Sequence, residues 1–99
     1  MASFVANHRK KIRSLRRKED ELRRLIDREA SEENLLAAAS EVREARIRVL
    51  RVKQYSDPEI CVDRTKYHKI EDKINAILAL SPEAVLGEYL PAKNDANSN

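Results

Sequence analysis

Glycine and cysteine occur once each among the 99 residues, tryptophan not at all, and neither glycine nor proline appears before Pro58. Each shortage excludes something. With Gly87 alone, no glycine-rich phosphate loop can be built, because such loops need several residues without a Cβ where backbone approaches phosphate. With Cys61 alone, no disulfide can close within the chain and a cysteine-rich metal site is ruled out, so a reducing, cytoplasmic setting is expected. No stretch approaches the roughly 20 apolar residues of a membrane-spanning helix. The short apolar start runs into His8-Arg9-Lys10-Lys11, the reverse of a secretory signal's order.

What is abundant points one way. Apolar residues make up 41% of the chain and charged residues 37%, and Ala, Leu, Glu, Lys and Arg, all good helix formers, dominate both groups. The expected fold class is all-α. Val5, His8, Ile12, Leu15, Leu22 and Ile26 recur at spacings of three and four, with Glu19 and Glu29 in slots that would otherwise be apolar. A second series, Leu35, Ala38, Val42, Ala45, Val49 and Val52, keeps coiled-coil heptad spacing throughout. Continuing the first series by sevens lands on Glu33, Leu36, Ser40, Arg43, Ile47 and Leu50. The two series are therefore two residues out of phase, a rotation of about 200° at roughly 100° per residue.

A single straight helix would change face near residue 30. Ser31, followed by Glu32 and Glu33, supplies an N-cap and first-turn acids at that point, so the spacing predicts a long antiparallel hairpin rather than one continuous helix over 3–55. Helices are expected at about 3–29, 32–55, 64–80 and 82–89, forming one domain over 1–90 with a flexible polar tail over 91–99. Pro58 marks the end of the second helix, Ile60, Cys61 and Val62 form a short apolar bridge, Asp63 caps the third helix, and Ser81-Pro82-Glu83 opens the fourth. The stripe of the third is Tyr67, Ile70, Ile74, Ile77 and Leu78. Folding the hairpin about residue 30 sets Ile26 against Leu35, Leu22 against Ala39, Leu15 against Ile47 and Ile12 against Val49. It also brings Glu19 beside Val42 and Arg43, a candidate register-fixing pair.

Two surfaces are candidate binding sites. The first is a second apolar face of helix two, Leu36, Ala39, Ile47 and Leu50, which one partner helix cannot cover. It implies either packing of the third helix or self-association, or a larger protein partner. The second is basic. Arg9, Lys10, Lys11, Arg13, Arg16, Arg17 and Lys18 run without an acid, and the hairpin places them near Arg43, Arg46, Arg48, Arg51 and Lys53. Cations in the early turns of a helix oppose its dipole by a few tenths of a kcal/mol each, so local helix physics does not account for them. They point to an anionic partner, whether nucleic acid, an acidic protein surface or membrane lipid, with Arg9, Lys10, Lys11, Arg13, Arg16, Arg17, Lys18, Arg48 and Arg51 as candidate contacts, or else to a solvated basic face neutralised by the acids of a neighbouring subunit. No aromatics interleave with the run, which argues against stacking on single-stranded bases.

No catalytic constellation assembles. Cys61, Asp63 and His68 form too thin a set for zinc, Cys61 reads as a small packing residue, and Tyr55, Tyr67 and Tyr89 read as packing residues with hydroxyls at the rim. The expectation is a non-enzymatic interaction protein without metal or cofactor, an adaptor or accessory subunit that self-associates through helix two. The alternative is a small nucleic-acid-binding regulator acting through the basic end.

Overall fold

The computed structural model describes residues 3–91. Five helices follow one another: α1 (Ser3–Asp27), α2 (Glu32–Ser56), α3 (Pro58–Cys61), α4 (Arg64–Leu78) and α5 (Pro82–Tyr89). No strand occurs among the described residues, and no helix there is long and apolar enough to cross a membrane. The tail expected after Pro91 lies outside the described residues.

The hairpin forms as its out-of-phase stripes require. Ser31 sits in extended backbone and its hydroxyl accepts from the Asn34 amide at 3.2 Å, with Glu32 and Glu33 in the first turn of α2. On the other side of the break, α1 stops at Asp27 rather than Glu29. The Ala30 amide donates to the Leu25 carbonyl and the Glu29 amide to the Ile26 carbonyl, both at 3.0 Å, while Glu29 adopts φ 55°. This is a Schellman closure with glutamate in the left-handed position that glycine normally takes. A side chain there costs about 1–2 kcal/mol, and glycine would return part of that gain through a freer unfolded chain. Glu29→Gly is therefore expected to stabilise the fold by about 0.5–1 kcal/mol, read as a higher urea midpoint with an unchanged slope.

α2 is the spine. α1, α4 and α5 each pack against it. The larger core cluster joins Leu22 of α1, Ala39 and Val42 of α2, and Val85 and Leu86 of α5, with Leu15, Ile26, Leu35, Leu36, Ala38, Leu80 and Tyr89 around it. Leu22 and Ala39 thus share one core, and Ile26 and Leu35 border it, in keeping with the register read from the sequence. A second cluster, Ile60, Ile70 and Ile74 with Ile47, Leu50 and Tyr67 against it, fixes α3 and α4 to the far half of α2. Each fully buried aliphatic contributes about 1.5–3 kcal/mol.

The apolar bridge after Pro58 is itself a helical turn. The Asp57 carboxylate accepts from the Glu59 amide at 3.0 Å with Pro58 leading the turn, so one residue ends α2 and starts α3. Asp63 caps α4 and Ser81 caps α5, as their positions suggest. Three details differ from the sequence reading. Leu78 ends α4 46% exposed rather than in its stripe, because its helix stops as the chain turns toward α5. Cys61 is exposed rather than packed, with its thiol directed at the Gln54 carbonyl 3.6 Å away. Gln54, a polar residue that the sequence reading does not single out, is completely buried.

Candidate nucleic-acid interface

The apolar face of α2 is occupied within the chain. Ala39 is fully buried in the larger core, Leu36 borders that core, and Ile47 and Leu50 lie half-buried against α3 and α4. These four residues do not form one patch, since Leu36 and Ala39 belong to one cluster and Ile47 and Leu50 to the other. α4 and α5 together cover what a single hairpin partner could not.

The polar groups on that same side of α2 are also engaged. Arg43 donates from Nε to the Ile77 carbonyl at 3.4 Å, which also accepts from the Leu80 amide, and from Nη2 to the Leu78 carbonyl at 3.2 Å, placing a cation at the C-terminal end of α4. Glu19 is therefore not paired with Arg43. Its carboxylate accepts from the Tyr89 hydroxyl, which in turn accepts from Arg46 Nη2 at 2.8 Å. Arg46 also grips Glu88 through both terminal nitrogens, at 3.3 and 2.8 Å, a paired geometry that favours arginine over lysine. Burial and the bond to Glu19 push the Tyr89 hydroxyl above its usual pKa, so it remains a proton donor at neutral pH.

A third polar node surrounds Gln54. Its amide nitrogen donates to Glu71 at 2.7 Å, and its carbonyl oxygen accepts from Arg51 Nη1 at 2.8 Å, which also lies 3.0 Å from Glu71. Arg51 further sits over the Tyr55 ring, 5.9 Å from its centre. Gln54's amide, followed by the Arg51 guanidinium, holds the half-buried Glu71 carboxyl below the usual carboxylate range. Because folding lowers this pKa, its contribution to stability is complete above the ordinary carboxylate value and is lost as pH falls through the folded one. The stability difference between the wild type and Gln54→Met is expected to shrink on acidification below that range, as measured by urea unfolding at a series of pH values. A difference independent of pH would reduce the node to packing.

The basic residues are thereby sorted. Arg51 and Lys18, both counted as anion contacts from the sequence, are committed internally, Lys18 to Glu41 across the α1–α2 seam. Lys11 is half-buried. Arg9, Lys10, Arg13, Arg16 and Arg17 are exposed on α1, and among the described residues none of them takes part in an ion pair or a side-chain hydrogen bond. Arg48 is exposed on α2, in a shallow groove with Lys18 and Glu44.

The later half of the same helix shows what a neutralised surface looks like. There Arg23 pairs with Asp20 and Arg24 with Glu21, each three residues earlier and each at 3.4 Å. From Arg9 to Arg17 no acid occurs at all, and the first turn of α1 carries none to complement its dipole. Among the described residues, no three His, Cys, Asp or Glu side chains gather as metal ligands would, and Asp63 of the sequence-derived trio is committed to capping α4. Comparison with known protein families, curated proteins and solved structures finds no match.

Proposed function

We propose that this chain is a non-enzymatic interaction protein that binds the phosphates of a nucleic acid through the outer face of the first half of α1, as a small cytoplasmic regulator. The observation that carries the reading is the contrast along one helix. Its second half pairs each exposed Arg23 and Arg24 with an acid one turn back, whereas Arg9, Lys10, Arg13, Arg16 and Arg17 stand exposed and without a counter-charge among the described residues. Five uncompensated cations on a few turns repel one another, which disfavours the helix unless an anion is bound. Phosphates meet that need without any shaped pocket, and release of their counterions drives the association. The adaptor reading through Leu36, Ala39, Ile47 and Leu50 has less room, because α3, α4 and α5 already contact those side chains.

The test is a salt titration of binding to mixed-sequence nucleic acid, comparing the wild type with the triple variant Arg13→Glu, Arg16→Glu, Arg17→Glu. Tight binding at low salt that the variant loses is the expected result. Equal binding by both proteins would remove the reading, and a discrete oligomer indifferent to nucleic acid would return the chain to the self-association class.

A further inference from the structure

Resting on the nucleic-acid reading above, we infer that the partner is B-form DNA duplex and that α1 lies along its major groove with phosphates of both strands held on its two flanks. The geometry comes from the spacing of the exposed cations. At about 100° per residue, Arg9 and Arg16, seven residues apart, fall within roughly 20° of each other on one flank of α1. Lys10 and Arg17 repeat the same interval on the other flank. Arg13 lies midway between the two pairs, on the crest directly away from the buried Leu22 side.

This is a two-sided arrangement, and a single strand offers phosphates on one side only. Proteins that hold single strands track the backbone in a groove and stack its bases on aromatic rings. The outer face of α1 is instead a convex ridge. The only Phe, Tyr or Trp of α1, Phe4, lies off that face, half-buried on the Leu22 side of the helix and stacked on His8 with ring centres 5.3 Å apart. An α-helix is about 10–12 Å across with side chains, and the major groove of B-form DNA is about 12 Å wide, so the ridge fills the groove and its flanks face the two phosphate walls. The cation row from Arg9 to Arg17 covers about 12 Å of helix axis. The major groove of an RNA duplex is deep and too narrow to admit it. α1 is free to enter because α2 supports it from behind, while α5 covers the other half of the hairpin, around Leu22.

Four flank cations predict a slope of log affinity against log salt of about −3.6, at 0.9 per neutralised phosphate. The experiment is fluorescence anisotropy of the full chain with a mixed-sequence DNA duplex, an RNA duplex and one of the DNA strands, all of one length. Three variants accompany it: Arg9→Gln/Arg16→Gln, Lys10→Gln/Arg17→Gln and the single Arg13→Gln. The substituted positions are exposed and glutamine is a good helix former, so circular dichroism should be unchanged. Each pair is expected to halve the slope on the DNA duplex to about −1.8, with the single strand and the RNA duplex bound about tenfold or more weakly than DNA duplex at moderate salt. Arg13→Gln should leave the slope nearly as it was and abolish the tighter binding of a G·C-rich over an A·T-rich DNA duplex of the same length, since the crest faces the groove floor where arginine pairs with guanine. A slope lost with one pair and retained with the other, or a single strand or RNA duplex bound as tightly as DNA duplex, overturns groove seating while leaving nucleic-acid binding in place. Absence of binding to all three at low salt overturns both.

Discussion

Leu22→Ala is expected to cost about 3–5 kcal/mol, as cavity-forming leucine truncations in well-packed cores do. Leu22 is fully buried and is the one buried residue that α1 contributes to the cluster shared with Ala39, Val42, Val85 and Leu86. Its removal weakens the attachment of both α2 and α5. The surroundings cannot collapse to fill the space, because Ala39 and Val42 are short and fixed to a helix backbone held elsewhere by α4. Against a total stability of roughly 5–15 kcal/mol for a domain of this size, the loss would move the urea midpoint down by a molar unit or more at an ordinary slope. Leu78→Ala provides the contrast. With Leu78 46% exposed, the same chemical truncation should cost under about 1 kcal/mol, since surface positions outside the core rarely cost more. Similar midpoints for the two variants would mean that the α1–α2–α5 cluster is not what holds the hairpin.

The hairpin was legible because its evidence is redundant. Two stripes out of phase by about 200° and an N-cap serine with acids behind it all locate a break near residue 30, and the caps Asp63 and Ser81 locate the later helices in the same way. The end of α1 was less legible. Glu29 continues the three-four spacing of its stripe, but left-handed backbone there is decided by closure onto α2, which spacing does not encode. The partners of Glu19 show the same limit. Register alone sets it near Arg43, yet Tyr89 arrives from α5, seventy residues away, and Arg43 is drawn off to the end of α4. Gln54 could have been found. The first stripe, extrapolated through Leu36, Ser40, Arg43, Ile47 and Leu50, reaches Gln54 at its next step, and Arg43, Ile47, Leu50 and Gln54 all face α4. The Gln54 side chain is polar, so apolar periodicity alone does not mark the node. The basic run was visible in the sequence as a whole, but its division into committed Lys18 and Arg51 and exposed Arg9, Lys10, Arg13, Arg16 and Arg17 depends on where Glu41 and Glu71 fall in three dimensions.

Reversing charge at Arg13, Arg16 and Arg17 together is expected to weaken nucleic-acid binding by two orders of magnitude or more at about 0.1 M salt, with no loss of folded structure. Arg16 and Arg17 each supply one of the four flank contacts. At 0.9 log unit per phosphate for each tenfold change in salt, losing two of them lowers affinity about sixtyfold at that ionic strength. Three carboxylates facing a phosphate wall add repulsion to the lost attraction, and the slope against log salt falls by about half. Stability should change little. A carboxylate at position 13 lies four residues after Arg9 and three after Lys10 and relieves like-charge crowding in the early turns of α1, whereas carboxylates at 16 and 17 stand three and four residues from position 13 and from Glu19, Asp20 and Glu21, so new repulsion offsets that relief. Thermal unfolding followed by circular dichroism should therefore give a melting temperature within a few degrees of that of the wild type. This divergence separates a binding surface from a structural one: residues kept for folding would lose stability on reversal, whereas residues kept for an anion lose only the anion.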